Sequence, residues 1–394
     1  MALKEKIKER SSKYLSEVIQ IRRHLHANPE LSFEEYNTSK FISGKLKEWG
    51  ISFKDGIVKT GIVALIEGKR EGQGVSSIAL RADIDALPIE EKNNVEYKSK
   101  NVGVMHACGH DVHTSSLLGA AKILNELKNE FSGTIKLIFQ PGEEKAPGGA
   151  SLMIKEGVLE NPKPSSIFAQ HVFPSLETGR VGFRSGKYMA STDEIYLTVK
   201  GKGGHAAMRG TYVSPLLISA EILLELEKKF SDCKIPTVLA FGRMHANGAT
   251  NVIPDEVKVD GTFRTMDEAW RKEAHEIIRS ICISVSKKSN GDCDVNIMNG
   301  YPAIINDEQT TSRAKKSAEE FLGKEKVIEL DLRMTGEDFS FYQQKIPGCF
   351  YRLGTGNISK GITSGVHTPT FDIDESSLQT GMGLMAWIAV NELK

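Results

Sequence analysis

Nine residues, Met105 to His113, read M-H-A-C-G-H-D-V-H and set a thiol, three imidazoles and a carboxylate side by side. In extended or looping backbone, side chains two apart face the same way, so His106, Cys108 and His110 can aim at one point. Thiolate and imidazole are donors that Zn or a similar first-row cation accepts. Packing alone accounts poorly for the cluster, because each titratable group would need its own partner if buried. A nucleophilic Cys108 activated by a neighbouring His is a second chemistry for these residue types, but no local signature of the cysteine hydrolases surrounds it. A metal would need further ligands from distant parts of the chain.

Such groups stand at the ends of other expected strands. Thr134 to Gln140 has the continuous apolar character of a buried strand and runs into P-G-E-E, which brings Glu143 and Glu144. Ser166 to Ala169 ends in Gln170 and His171, and S-G-V-H-T-P brings His367. Ser76 to Ile84 enters R-A-D-I-D, so Asp83 and Asp85 fall at a strand's C-terminal end, where open α/β sheets place their sites. Cys108, His110, Glu143, Glu144, His171 and His367 are more groups than one tetrahedral site needs. The surplus implies two metals, or one metal plus a base. Adjacent Glu residues at a strand-to-loop turn diverge, so one can bind metal while its neighbour takes a proton.

The elements that must position these groups follow from periodicity. Helices are expected over Ile7 to Ala27, Thr38 to Trp49 and, directly after the central loop, through Leu117, Leu118, Ala121, Leu124 and Leu127. A strand at Gly61 to Glu67, a short helix at Ala150 to Lys155, a helix from Asp307 to Leu322, a strand at Cys349 to Leu353 and a closing helix from Glu375 to Leu393 continue the alternation. Strand and helix in turn predict an α/β fold, a mostly parallel sheet flanked by helices. Near Met189 the character changes, because I-Y-L-T-V alternates like a half-exposed antiparallel strand. A strand at Glu194 to Lys200, a helix at Pro215 to Phe230, strands at Thr237 to Arg243 and Val257 to Arg264, a helix at Asp267 to Ser286 and a strand at Asp294 to Met298 give a ferredoxin-like β-α-β-β-α-β order. The expected organisation is an α/β domain in two parts, 1–188 and 300–394, with an inserted α+β domain at 189–299.

Composition narrows the function. The 394 residues are 40% hydrophobic and 26% charged, with 51 basic and 51 acidic side chains, so no net field attracts nucleic acid or a membrane surface. The N-terminal stretch alternates charges where a signal peptide is apolar, and no run approaches a membrane span; the expected location is cytoplasmic. Cys108, Cys233, Cys282, Cys293 and Cys349 form no CxxC pair and argue against a disulfide framework.

The central loop, together with F-Q-P-G-E-E, R-A-D-I-D-A-L-P-I, R-R-H-L-H-A-N-P-E-L-S-F-E-E, G-G-H-A-A, N-V-I-P-D and G-E-D-F, resembles the aminoacylase/carboxypeptidase metallopeptidase family. The specific likeness is to its amidohydrolase branch of hippurate hydrolases, auxin-conjugate hydrolases and N-acetyldiaminopimelate deacetylases, and it spans nearly the whole chain. The resemblance implies a catalytic domain interrupted by a ferredoxin-like lid that also forms a homodimer. It implies two divalent ions, Zn or Mn, with Co and Ni as further options, bridged by Cys108. His110 and His171 complete one site, Glu144 and His367 the other, and Glu143 is the general base. On the lid, His205 and Asn251 are the implied donors to the amide oxygen, probing a partner's site across the dimer, and Arg264 the grip on a substrate carboxylate.

Two departures qualify the match. Arg81 stands where the wider family has a metal-binding His, so His110 is expected to replace that ligand, with Asp83 outside the ligand set and orienting it. His106 and His113 are expected to hold the loop by hydrogen bonds. The run Met208 to Ser214 replaces the usual continuation of G-H-A-A and bears on lid interface and specificity. The implied reaction is hydrolysis of a small-molecule N-acyl amino acid by a metal-activated water. Within the family the alternatives are an N-acetyldiaminopimelate deacetylase or a dipeptidase or aminopeptidase; outside it, a metal-binding protein whose activity has lapsed.

Overall fold

A computed structural model describes residues 2–72 and 77–394; Ser76, the expected start of the strand into R-A-D-I-D, lies outside them. The chain divides into two compact units, one of Met1–Gly186, Ile305–Asp331 and Asp338–Lys394, the other of Lys187–Ile304 and Leu332–Glu337.

The first unit opens with helices α1 (Leu3–Ala27) and α2 (Tyr36–Glu48) and strands β1 (Ser52–Ile57), β2 (Gly61–Glu67) and β3 (Ser77–Asp83). After the central loop come α3 (His110–Glu126), β4 (Thr134–Gln140), α4 (Gly149–Lys155), β5 (Ile167–Glu177) and β6 (Val181–Phe183). Strand β7 (Gly186–Met189) leads into the second unit. There the chain forms β8 (Asp193–Lys200), β9 (Gly204–His205), α5 (Pro215–Phe230), β10 (Thr237–Ala246), β11 (Val252–Ile253), β12 (Glu256–Thr265), α6 (Glu268–Lys288) and β13 (Asp292–Asn299). It returns through β14 (Ile304–Asn306) to α7 (Glu308–Leu322), β15 (Val327–Glu329), α8 (Ser340–Gln343), β16 (Gly348–Gly356) and α9 (Ser377–Glu392).

In the first unit, the sheet order is β1-β2-β4-β3-β5-β16-β6-β15. The central strands β4, β3, β5 and β16 run parallel, whereas β1 and β2 pair antiparallel at one side. Strand β3 is buried along its whole length, the mark of a strand covered on both faces. Helices α1, α3 and α9 pack together over it, and Leu117, Leu118, Leu124, Leu384, Met385 and Ile388 are fully enclosed. Helix α9 is apolar nearly all round because it is buried nearly all round.

In the second unit, the sheet order β10-β12-β8-β13 is antiparallel throughout, with α5 and α6 packed against each other and over one sheet face. This is the ferredoxin-like arrangement its element order predicts. Helix α6 begins at Asp267, whose carboxylate accepts from the backbone N–H groups of Ala269 and Trp270 at 3.0 Å.

Several expected strands run longer in the structure: β10 continues to Ala246, β16 covers Gly348–Gly356, and β5 extends furthest. Strand β5 passes through His171 to Glu177, because Arg352, Leu353 and Gly354 of β16 continue the parallel ladder beside His171, Val172 and Phe173. His171 is therefore held inside a rigid strand. Among the described residues no helix is long and apolar enough to cross a membrane.

Candidate metal centre

The central loop is fastened where it enters α3. Gly109 sits at that entrance with φ 82°, and a Cβ there would lie 2.6 Å from the Val172 side chain. Only glycine combines that backbone angle with so close an approach. The loop brings Cys108 to β5, with Sγ 3.4 Å from His171 Nε2. His367 comes from the other side of the chain: its backbone N–H donates to the Ala107 carbonyl at 2.7 Å, in the left-handed region at φ 60°. Its Nε2 lies 3.3 Å from Cys108 Sγ and 3.3 Å from Glu144 Oε1. Glu144 Oε1 in turn lies 3.9 Å from His110 Nε2.

The expected ligands thus gather as two overlapping groups that share Cys108, one with His110 and His171, the other with Glu144 and His367. Two donors bound tetrahedrally to one Zn, at about 2.3 Å for sulfur and about 2.0 Å for nitrogen, stand roughly 3.5 Å apart. The sulfur-to-nitrogen separations of 3.3 and 3.4 Å match that spacing. His110 Nε2 and Glu144 Oε1 are buried without a hydrogen-bond partner, which leaves both atoms uncommitted at the same place. The residues fit divalent cations by donor chemistry and by spacing. The site opens at His367, whose side chain is 51% exposed against 13% for Glu144.

Electrostatics agree with this reading. Burial, then Glu144, Glu143 and Asp83, push the Cys108 thiol well up, and an adjacent cation would favour the thiolate. Burial, then the Arg352 guanidinium, push His171 well down and keep its Nε2 lone pair free. Burial opposes charge on His110, but Asp83, Asp85 and Glu144 outweigh it and raise it to about 10. A cation at Nε2 must therefore displace a proton. Glu143 is buried, and its carboxyl lies near Glu144 and His110.

The surrounding contacts correct two expectations. Asp83 does not orient His110 through its ring Nδ1. That contact belongs to Asp85, whose carbonyl and Oδ1 lie 2.9 and 3.1 Å from it. Asp83 is taken up elsewhere, by His113 Nδ1 at 2.6 Å and by Arg81, which donates to its Oδ2 at 2.7 Å; Oδ2 remains 3.7 Å from His110 Nε2. Although burial opposes ionisation, His110, Arg81 and His113 hold Asp83 well below the usual carboxylate range. His113 secures the loop as expected, its Nε2 accepting from the Val172 N–H at 2.9 Å. His106 does not: it is buried with neither ring nitrogen hydrogen-bonded, and burial lowers it to about 4.

Sequence reasoning also missed Glu35. It is fully buried, and burial followed by repulsion from Asp85 pushes it up to about 7. The available signal was its place in L-S-F-E-E, a quoted motif to which no role was attached.

The candidates of the second unit are arranged apart from any such cluster within that unit. His205 and Asn251 come together in a two-stranded ribbon, where β9 pairs with β11 and the Ala206 N–H donates to the Asn251 carbonyl at 3.0 Å. Both side chains are exposed. Arg264 lies on β12, opposite Val238 of β10, and is half-buried; burial alone lowers it from the ordinary arginine value.

An α/β unit interrupted by a ferredoxin-like one carries a cage of sulfur, imidazole and carboxylate. The pattern of Peptidase family M20/M25/M40 matches residues 79–391. Thermostable carboxypeptidase 2 of Saccharolobus solfataricus is 37% identical over 99% of this chain and 99% of its own length. N-acetyl-L-cysteine deacetylase of Bacillus subtilis is 38% identical over 92% of this chain and 85% of its own. Among solved structures, the Bacillus subtilis YXEP protein, a dinuclear metal binding peptidase, matches with a TM-score of 0.84 and 35% identity, covering 97% of this chain and 99% of that one. The chain belongs to Peptidase family M20/M25/M40, hydrolases that act on amide bonds.

Proposed function

We propose that the chain is a binuclear metal-dependent amidohydrolase that cleaves N-acyl amino acids. The observation that carries this reading is the cage of Cys108, His110, Glu144, His171 and His367, which leaves Glu143 beside it and outside both groups that share Cys108. Two divalent cations held there, Zn or Mn, would supply Lewis-acid polarisation of the scissile carbonyl and activate water. Glu143, as general base, takes a proton from the attacking water and passes it to the leaving nitrogen. Asp85 keeps the His110 ring in place through Nδ1, and its Oδ2 accepts the Glu144 N–H at 3.0 Å. His205 and Asn251 would serve as donors to the developing oxyanion in a partner's site across the dimer, and Arg264 would bind the substrate carboxylate.

Supporting an acyl rather than a peptidyl substrate is the similarity to a deacetylase, and the family's carboxypeptidase member keeps the peptidase alternative in view. Homodimerisation through the second unit is part of the proposal. It is supported by the apolar stripe of Leu217 and Leu224 on α5, 73% and 70% exposed, and by the open edge of β10. A cytoplasmic location is also part of the proposal.

The test is a panel of N-acyl amino acids set against dipeptides with free amines, assayed after chelation and after metal add-back. Hydrolysis of the blocked substrates that chelation abolishes and metal restores is expected. Preference for free amines would favour the peptidase alternative, and no turnover by metal-loaded protein would favour a lapsed enzyme.

A further inference from the structure

The segment Ser32–Glu35 of the first unit packs against the P-G-E-E loop. Glu35 Oε1 accepts the Gly142 N–H at 2.9 Å and the Phe33 N–H at 2.8 Å, while Oε2 accepts the Thr60 hydroxyl at 2.6 Å. Glu35 and Thr60 are fully buried, so the bonds to Gly142 and Thr60 are made out of water, where a hydrogen bond is stronger. Phe33 lies against Gly142 so closely that a Cβ on Gly142 would meet its ring at 2.4 Å. Phe33 is itself in the left-handed region at φ 67°, an arrangement unfavourable for a non-glycine residue that persists where the surroundings impose it. Ser32 donates to Asp85 Oδ2 at 2.6 Å, and that same oxygen accepts the Glu144 N–H.

Two buried carboxylates therefore hold the backbone on either side of Glu143, Glu35 at Gly142 and Asp85 at Glu144. They differ in what else they touch. Asp85 also meets His110, one of the metal donors, whereas among the described residues the side-chain hydrogen bonds of Glu35 run to Gly142, Phe33 and Thr60.

We propose that Glu35 is a positioning residue for Glu143, fixing the backbone from which the base projects without contributing to the metal cage. The inference rests on the reading of Glu143 as general base. Its consequence is separable from that of Asp85: loss of Glu35 lowers turnover and leaves the metal bound. Displacing a reacting group by about 1 Å can cost on the order of a hundredfold in rate.

The experiment measures kcat, KM and metal per chain for Glu35→Ala and Glu35→Gln, each alone and in the Glu143→Gln background, on an N-acyl amino acid that the wild type hydrolyses. Glu35→Ala is expected to lower kcat about 10- to 100-fold with KM and metal content unchanged. Glu35→Gln keeps an oxygen for the Gly142 and Phe33 N–H groups and is expected to stay within about threefold of wild type. In the Glu143→Gln background, Glu35→Ala is expected to cost nothing more, since it acts through the missing base. Wild-type kcat in Glu35→Ala, a loss proportional to lost metal, or a further loss in the double variant overturns the proposal. Should Glu35→Ala not fold, Thr60→Val removes the Oε2 anchor and is expected to lower kcat several-fold at constant metal content; an unchanged kcat there overturns it equally. A fully active Glu143→Gln would instead sink the general-base reading itself, whereas an inactive Glu143→Gln beside a fully active Glu35→Ala sinks only the role of Glu35.

Discussion

Cys108, His110, Glu144, His171 and His367 in one unit, and Asp193, Arg271 and His275 in the other, both gather titratable side chains at close range, but only the second group is electrically complete. Arg271 donates to Asp193 through Nε at 2.9 Å and again through Nη2, His275 Nε2 lies 2.8 Å from the same carboxylate, and the Gly300 N–H reaches it at 3.1 Å. A cation from the chain itself answers the buried anion there. Around Cys108, His110 Nε2 and Glu144 Oε1 are buried with no hydrogen-bond partner. Burial of polar groups is tolerable when they are paired and costly when they are not. A cluster that closes its own accounts is a structural joint, and one short of positive charge is a site built for something from outside.

That contrast can be broken at several points. The largest expected effect is at Glu143, which belongs to the open cluster without being among its proposed ligands. Glu143→Gln is expected to cut turnover by about 10²–10⁴-fold while metal content stays at the wild-type level, read by steady-state assay and elemental analysis of one preparation. Loss of metal together with activity would make Glu143 a ligand and erase the distinction drawn here.

Next comes the closed cluster. Asp193→Ala leaves Arg271 and His275 without their shared anion and is expected to cost about 3–5 kcal/mol in the unfolding of that unit, followed in urea, with metal content unaltered. The pH dependence has a definite sign. Burial opposes ionisation of Asp193, but Arg271 and His275 hold its carboxyl below the usual range. An acid depressed in the folded state contributes fully above its unfolded pKa, about 3.9, and loses that contribution as pH falls through the lower folded value. The stability gap between wild type and Asp193→Asn should therefore be widest near neutrality and close below about pH 4. A gap that widens in acid would contradict the pairing.

The fold was more legible in the sequence than the contacts that tune the site. Helix Pro215–Phe230 and strand Thr134–Gln140 coincide with their expected bounds, because each has a clear period or apolar run and a stop beside it. The donors could be picked out because thiol, imidazole and adjacent carboxylates at strand ends are conspicuous residue types. Which carboxylate meets His110 was not legible. Asp83 and Asp85 are two residues apart and equivalent in pattern, and the choice is made by Arg81 and His113, which occupy Asp83, and by the backbone after β3, which brings the carbonyl of Asp85 to the same ring. Glu35 was invisible for a related reason: its partner Gly142 is 107 positions away and offers only a backbone N–H, which no residue letter records. His106 shows the limit from the other side, since an imidazole expected to anchor the loop is enclosed with no hydrogen bond at all.

The measurement that bears most directly on the account is the number of divalent ions bound per chain, in wild type and in Cys108→Ala, after exhaustive chelation and reloading. Two ions per chain in the wild type, and a clear fall when the shared sulfur is removed, are the predicted result. A wild type that holds none at saturating Zn or Mn, or a Cys108→Ala variant that still holds two, would contradict it.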